Sequence, residues 1–314
     1  MAQPPDLAGR TVVVTGTTSG LGLALSRVLA GAGARVLMTV RDTERGAAAV
    51  ERVRAGIDGE GSAETVLLDL ADLASVRAAA ADIRARTGDR VDVLINNAAV
   101  SLGPPARTRD GFELQIGTNH LGPAALTWLL MPALRAAGSF GRPARVVTTS
   151  SLGHRTGGLD LTDLHWQRRR YSTTRAYGAS KLANLLFAAE LDRRLRRAGD
   201  PVLSVAAHPG LTASELLNNA LARGRTWRAR LLVLPDRYLS QPVADGIAAQ
   251  LLAATGPVRG GDYLGPTGPF EIRGPAGPAR RSATAKDPAL ARELWQRTAT
   301  ATGVVPDPEL TVRG

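Results

Sequence analysis

The fold is decided by the stretch RTVVVTGTTSGLG, residues 10–22. Residues 10–15 are β-branched and apolar through their centre, which predicts a strand buried on both faces, as in a parallel sheet. Apolar residues at helical spacing follow the glycines, at Leu23, Leu25, Val28 and Leu29. A strand, a glycine-rich turn and a helix N-terminus can bind phosphate, because glycines admit close backbone approach and the helix offers unpaired N–H groups. A plain strand-to-helix turn is the alternative interpretation.

The glycine-rich turn predicts the first cofactor contacts. Its spacing is G-x-x-x-G-x-G rather than G-x-G-x-x-G, but its place between a strand and a helix favours a dinucleotide site. The residues expected to contact the cofactor here are Gly16, Thr18, Ser19, Gly20, Leu21 and Gly22.

Strands and helices alternate along the chain, with no repeat and no linker before the C-terminal region. Further strands are predicted at residues 35–40, 64–69, 91–95, 144–150, 202–207 and 262–264. This alternation predicts a single α/β domain over residues 1–314, a doubly wound Rossmann fold with a central parallel sheet of about seven strands and helices on both faces. We expect its core at about 10–265, a substrate lid at about 211–241, and an irregular loop followed by a helix within about 266–314.

The end of the second predicted strand bears on the choice of cofactor. Arg41 is the first residue after this strand, and a cation there would neutralise a ribose 2′-phosphate, which favours NADP(H). Asp42 beside it would accept from a 2′-hydroxyl, which keeps NAD(H) as the alternative.

The third and fourth predicted strands also end in candidate contacts. Asp69, followed by Leu70, either caps its loop or accepts a hydrogen bond from an adenine amino group. Asn97 is followed by small residues, beginning with Ala98, which leave room for a cofactor against the strand end. In an open parallel sheet these strand ends are where ligands bind.

Tyr177 and Lys181 lie four residues apart, and therefore on one face of a predicted helix. An ammonium beside a phenol favours the phenolate, which suits general acid/base work on a carbonyl or alcohol near neutral pH. A lone Tyr-x-x-x-Lys also occurs on ordinary helix surfaces. Here two of the 39 Lys and Arg residues are lysines, and Lys181 is one of them. This favours a chemical role, because a compact ammonium fits between a phenol and a sugar hydroxyl.

Composition excludes several classes of function. The chain has no cysteine, which excludes disulfide, zinc–thiolate and iron–sulfur sites, and its four histidines show no metal-ligand spacing. The net charge is +11, but the arginines are scattered and aromatic residues make up 4% of the chain, so no nucleic-acid partner is expected. No apolar run reaches membrane-spanning length, and the first residues do not resemble a signal peptide, so a cytoplasmic protein is expected.

Together these motifs resemble the short-chain dehydrogenase/reductase family over roughly residues 10–263. The resemblance depends on the order of TGxxxGxG at 15–22, Asp69, NNA at 96–98, Asn119, Ser151, YxxxK at 177–181 and PG at 209–210. Finer features resemble the retinol dehydrogenase and WW-domain oxidoreductase branch, namely RD at 41–42, NHLG at 119–122, SSLGH at 150–154, SKLAN at 180–184 and HPG at 208–210. Ala99 departs from the glycine that is usual in the family.

The resemblance implies an oxidoreductase that transfers a hydride between NADP(H) and a carbonyl or alcohol substrate. Tyr177 would exchange a proton with the substrate oxygen, and Lys181 would bind the nicotinamide ribose. Ser151 would hydrogen-bond the substrate oxygen, with Ser150 as its rival. Asn119 would hold a water that links the lysine to solvent. The cofactor contacts implied outside the glycine-rich turn include Tyr177, Lys181, Pro209, Gly210 and Thr212.

Other interpretations remain open. A sensor or scaffold that binds NADP without turnover would share the fold, although it has no need of the complete catalytic set. The lid, residues 211–241, is rich in leucine, with arginines interleaved. This segment fits an apolar substrate pocket, a basic surface resting on a membrane, or helices packed on the core. The family habit of pairing through long helices favours a homo-oligomer, a dimer or tetramer, whereas an arginine-rich lid fits a monomer equally well.

Overall fold

The computed structural model describes residues 4–101, 103–211 and 242–308. Within them, eight strands form one sheet in the order β3-β2-β1-β4-β5-β6-β7-β8. The strands are β1 Thr11–Thr15, β2 Arg35–Val40, β3 Ser62–Leu67, β4 Val93–Asn96, β5 Ala144–Thr149, β6 Val202–Ala207, β7 Tyr263–Pro266 and β8 Ala276–Pro278. The first seven pair in parallel and β8 pairs antiparallel with β7.

Helices connect the strands. They are α1 Gly20–Gly31, α2 Thr43–Arg54, α3 Leu73–Thr87, α4 Leu114–Ile116, α5 Gly122–Ala137, α6 Thr173–Ala198, α7 Val243–Gly246, α8 Ala248–Thr255 and α9 Pro288–Thr302. A π-helical turn, Gly117–Leu121, joins α4 to α5, and a 3₁₀ turn, Leu152–Arg155, follows β5. The predicted Rossmann-like α/β domain is confirmed.

Helices cover both faces of the sheet, and successive side chains of each central strand point to opposite faces, so both sets are buried. Val13 of β1 packs into an apolar cluster with residues of α3, α5 and α6. Its neighbours Val12 and Val14 pack into a second cluster with residues of α1, α2 and α8. The near-continuous apolar character of RTVVVT, residues 10–15, follows from this double burial.

The last helix, α9, packs on α5 and α6. Its Trp295 stacks on Phe187 with ring centroids 5.4 Å apart and meets Trp128 edge-on at 4.9 Å. All three rings are almost fully buried. The C-terminal region therefore completes the core on this side of the sheet.

The segment after β7 differs from its prediction. We expected an irregular loop there, but residues 276–278 form β8, and this strand extends the sheet. The predicted lid falls outside the described residues, apart from Leu211 at its start. None of the helices in residues 4–101, 103–211 and 242–308 combines the length and the apolar character needed to cross a lipid bilayer.

Candidate active site

A cleft of about 320 Å³ opens at the carboxyl ends of the central strands. It lies beside β1, where the strand order reverses, which is the usual ligand position in a doubly wound sheet. The predicted site residues that line it are Gly16, Thr18, Ser19, Leu21, Gly22, Arg41, Leu70, Asn97, Ala98, Tyr177, Lys181 and Pro209.

The glycine-rich turn forms one wall of this cleft. Gly16 has a φ of +72°, and a β-carbon there would lie 2.9 Å from Ala98. A β-carbon at Gly22 would lie 2.2 Å from the carbonyl oxygen of Gly16, so the turn folds tightly on itself only with glycine. Ser19 is the N-cap of α1 and makes no side-chain cap, and the first turn holds no acidic residue. The amides of this helix N-terminus, which the Ser19 side chain does not cap, therefore fit the phosphates of a dinucleotide.

The end of β4 is held against β1. The Thr15 hydroxyl oxygen accepts from the backbone N–H groups of Asn97 and Ala98, both at 2.9 Å. The side-chain amide of Asn97 donates to the Thr15 carbonyl at 2.9 Å and its oxygen accepts from Gln250 at 3.1 Å. These bonds fix the small residues after β4 beside the glycine-rich turn, where a cofactor would lie.

Two arginines line the cleft at the end of β2. Arg41 follows the strand and Arg45 lies in the first turn of α2. The Asp42 carboxylate between them accepts from the Arg45 backbone N–H at 3.0 Å, so it caps the helix. The cleft therefore has two cationic side chains at this point, while the Asp42 carboxylate caps α2.

Asp69 makes one of the two contacts that the sequence left open. Its Oδ1 accepts from the Ala71 backbone N–H at 2.9 Å, so it caps the loop after β3. Its own N–H donates to the Ser75 hydroxyl at 2.9 Å. Leu70 lines the cleft beside it. The contact with an adenine amino group remains a prediction.

Tyr177 and Lys181 lie on α6 and face the cleft. The lysine Nζ is 5.7 Å from the centroid of the tyrosine ring and donates to the Thr149 carbonyl at 3.2 Å. Lys181 is 2% exposed. Asn184, one turn further along α6, donates to the same carbonyl at 3.0 Å. The end of β5 therefore anchors the part of α6 that carries the pair.

The two serines after β5 have different hydrogen bonds. Ser150 lines the cleft, but its hydroxyl donates to the Lys181 carbonyl at 2.9 Å. The Ser151 hydroxyl oxygen accepts from the Gly153 N–H at 3.2 Å, which leaves its proton for another acceptor. A β-carbon at Gly153 would lie 3.3 Å from the Tyr177 ring and 3.6 Å from the Ser151 hydroxyl, so the glycine keeps these two side chains adjacent.

Asn119 lies inside the π-helical turn before α5 and is buried. Its side-chain amide donates to the Val100 carbonyl at 2.9 Å and to the Ser180 hydroxyl at 3.0 Å. Its oxygen accepts from the Val100 N–H at 2.7 Å. The side chain thus connects the segment after β4 to α6 beside Tyr177. The water that the resemblance implies here remains a prediction.

Some predicted residues lie near the cleft without lining it, namely Gly20, Asp69, Asn119, Ser151 and Gly210, and Thr212 falls outside the described residues. Sequence reasoning missed Arg45 and several cleft residues at strand ends, such as Thr17, Thr39, Val100 and Thr149. Their positions could have indicated them, since each lies within a few residues of the end of a predicted strand. Among the described residues no group of three or more acidic or histidine side chains is placed to hold a metal ion.

The family model "short chain dehydrogenase" matches residues 10–223 of this chain. The chain therefore belongs to the short-chain dehydrogenase family. The predicted likeness to retinol dehydrogenases is confirmed by curated relatives. Polyprenol dehydrogenase of Mus musculus is 41% identical over 302 residues, which cover 95% of this chain and 85% of that protein. Retinol dehydrogenase 13 of Homo sapiens is 37% identical over 305 residues, covering 95% and 86%.

Solved structures show the same fold. An uncharacterised protein from Mycobacterium paratuberculosis is 42% identical, covers 97% of both chains and superposes with a TM-score of 0.79. The NADP active-site complex of RhlG from Pseudomonas aeruginosa is 25% identical, covers 84% of this chain and 96% of that one, and has a TM-score of 0.66. Both comparisons extend over most of the described sheet and its helices.

Proposed function

We propose that this protein is an NADP(H)-dependent oxidoreductase that interconverts a lipophilic alcohol and its carbonyl compound. The observation that carries the proposal is the position of Tyr177 and Lys181 together in the cleft, beside the glycine-rich turn. The names of the relatives, a polyprenol and a retinol dehydrogenase, support a lipophilic substrate.

In this proposal each group has one role. A bound nicotinamide would supply or accept the hydride. Tyr177 gives its hydroxyl proton to the substrate oxygen during reduction and takes it back during oxidation, and the Lys181 ammonium favours the phenolate between these steps. Ser151 donates its hydroxyl proton to the same oxygen and stabilises the charge that develops there. Ser150 is the weaker candidate because its proton is bonded to a backbone carbonyl.

The preference for NADP(H) is supported by Arg41 and Arg45 at the end of β2. Two guanidinium groups at this place suit a 2′-phosphate, which carries charge that a 2′-hydroxyl lacks. The Asp42 carboxylate, the group that would favour NAD(H), is bonded to the start of α2. The substrate lid, a homo-oligomer and a cytoplasmic location remain predictions.

The test is a panel of carbonyl compounds, including retinal and a polyprenal, with NADPH or NADH, and of alcohols with NADP+ or NAD+, in which the reduced cofactor is followed at 340 nm. We expect turnover of at least one lipophilic member with NADPH. Tyr177→Phe should lower the rate by about 10²- to 10⁴-fold with an unchanged NADPH dissociation constant. A variant as fast as the wild type would refute the assignment of Tyr177. Tight NADPH binding with no turnover of any member would instead indicate a protein that senses the cofactor.

A further inference from the structure

Ser151 is held in place by a side chain that the proposed chemistry does not use. His154 lies in the 3₁₀ turn that follows this serine and is 1% exposed. Its Nδ1 is 2.7 Å from the Ser151 carbonyl oxygen, and its backbone N–H donates to the same oxygen at 3.1 Å. The Gly153 N–H fixes the serine hydroxyl from the other side. Both the backbone and the side chain of the serine are therefore restrained by its own turn.

The second ring nitrogen of His154 shows which tautomer is present. Nε2 accepts from the backbone N–H of Ser282 at 3.3 Å. A nitrogen that accepts a hydrogen bond carries no proton, so the proton of the neutral ring is on Nδ1. Nδ1–H therefore donates to the Ser151 carbonyl. Burial lowers the pKa of His154, which keeps the ring neutral near pH 7.

The ring also joins two distant parts of the chain. Ser282 belongs to the segment between β8 and α9, while the 3₁₀ turn belongs to the strand end that carries the site serines. The His154 ring meets the ring of Tyr263 edge-on, with centroids 5.8 Å apart. A displacement of the segment that holds Ser282 would therefore shift the His154 ring and, through it, the Ser151 backbone.

We propose that His154 is a positioning residue for the oxidoreductase reaction: its Nδ1–H holds the Ser151 carbonyl, and the Ser282 amide selects the tautomer that can do so. This inference rests on the function proposed above, since it assigns a support to the serine that would contact the substrate oxygen. The predicted consequence is a loss of rate without a loss of cofactor affinity, because the nucleotide part of the cleft is built by other segments.

Three substitutions separate the two bonds of this ring. His154→Asn keeps an N–H at the position of Nδ1, and His154→Gln keeps an acceptor near the position of Nε2 but lacks the first donor. His154→Phe keeps an aromatic ring against Tyr263 and lacks both bonds. We expect kcat at saturating NADPH to fall about ten- to a hundredfold in the Phe and Gln variants and to recover to within about threefold of wild type in the Asn variant. The NADPH dissociation constant should stay within about twofold of wild type in all three.

Hydrogen exchange of the peptide spanning residues 149–157 gives a readout that needs no turnover. Exchange should be faster in the Phe and Gln variants and return to the wild-type rate in the Asn variant. Equal rates and equal exchange in the Asn and Phe variants would overturn the inference and leave the proposed function standing. A third outcome is the expected exchange pattern across the variants together with a wild-type protein that turns over none of the panel. The exchange would then confirm the hydrogen bond. The absence of turnover would refute the proposed function, and the bond would have no catalytic role.

Discussion

The side of the cleft with the glycine-rich turn and the C-terminal region, here residues 288–308 with α9, are built by opposite means. Around the cleft, backbone and small residues meet closely, as Gly22 does with the Gly16 carbonyl. The C-terminal region is attached by a few large or charged side chains: Trp295 packs in the aromatic core, and Asp307 pairs with Arg135 of α5. The first kind of contact is encoded locally and is visible in a motif. The second joins residues far apart in the chain, so a local pattern can predict the helix but not the partners it meets.

The largest effect should come from Trp295→Ala in the C-terminal region. Removing this buried ring leaves a cavity beside Phe187 and Trp128, and we expect a loss of about 3–5 kcal/mol in the free energy of unfolding. Urea unfolding followed by circular dichroism measures it. Arg297→Ala is the matched control, because Arg297 lies on the same helix in an exposed pair with Glu293 and should change stability by less than about 0.5 kcal/mol. A loss below about 1 kcal/mol for Trp295→Ala would show that α9 is not needed to complete the core.

A smaller loss of stability is expected on the nucleotide side, from Gly22→Ala. The added methyl group would lie 2.2 Å from a backbone carbonyl oxygen, which cannot move aside as a flexible side chain can. We expect about 1–3 kcal/mol of destabilisation and a loss of NADPH affinity of about tenfold or more. Gly59→Ala is the control, since a β-carbon there meets nothing within 4 Å. Unchanged NADPH titrations of Gly22→Ala would contradict the close approach that sets this region apart.

The two arginines at the end of β2 should affect the choice of cofactor without affecting the fold. Arg41→Ala and Arg45→Ala should each raise the NADPH dissociation constant by about tenfold and leave that of NADH within about twofold, because a charged phosphate contact is lost. Arg52→Ala, on the exposed part of α2 and outside the cleft, is the matched control. Equal losses for both cofactors would remove the argument for NADP(H).

The most gradual effect, spread over more than two pH units, is a dependence of stability on pH at the contact between the π-helical turn and α9. His120, in the π-helical turn, has its Nε2 2.8 Å from the Thr298 hydroxyl of α9, and burial lowers its pKa to about 4. The unfolded chain, with a histidine pKa near 6.5, then binds protons more readily than the folded one. The free energy of unfolding should therefore be highest above about pH 6.5. It should fall towards pH 4, by at most about 1.4 kcal/mol per pH unit for this group.

Urea unfolding at a series of pH values checks this prediction. The slope between pH 6.5 and 4 should be smaller in His120→Asn than in the wild type, since the variant lacks the titrating group. His154 and His208 are also buried with lowered pKa values, so part of the slope should remain in that variant. A wild-type stability that does not change over this range would contradict the burial of all three rings as neutral groups.

The sequence predicted the parallel part of the sheet because its strands are apolar and β-branched. Residues 35–40 and 202–207 form strands over the predicted ranges. The third strand begins and ends two residues earlier than expected, since Leu68 to Leu70 already belong to the loop that Asp69 caps. β8 was missed because residues 276–278 are Ala-Gly-Pro, a composition that strands rarely have; pairing with β7 forms it.

The site was predictable to the extent that it depends on motifs. The glycine-rich turn, the Tyr177 helix and the strand ends do meet at one cleft, as their order in a doubly wound sheet implies. Arg45 was missed because it lies inside α2, where a helical position looks like any solvated arginine. The part played by His154 was invisible for another reason: its partner Ser282 lies 128 residues away, and no spacing reports such a contact. The catalytic roles themselves remain predictions.

The position of α9 has a consequence for synthesis. The ribosome makes this helix last among the described elements, so the nascent chain lacks Trp295 while the rest of the sheet and its helices can already form. Until translation reaches it, the stripe around Phe187 and Trp128 faces water and is open to chaperones or to other nascent chains. Translation that stops shortly before residue 288 would release a chain that has all the described residues of the cleft but exposes an aromatic, aggregation-prone surface.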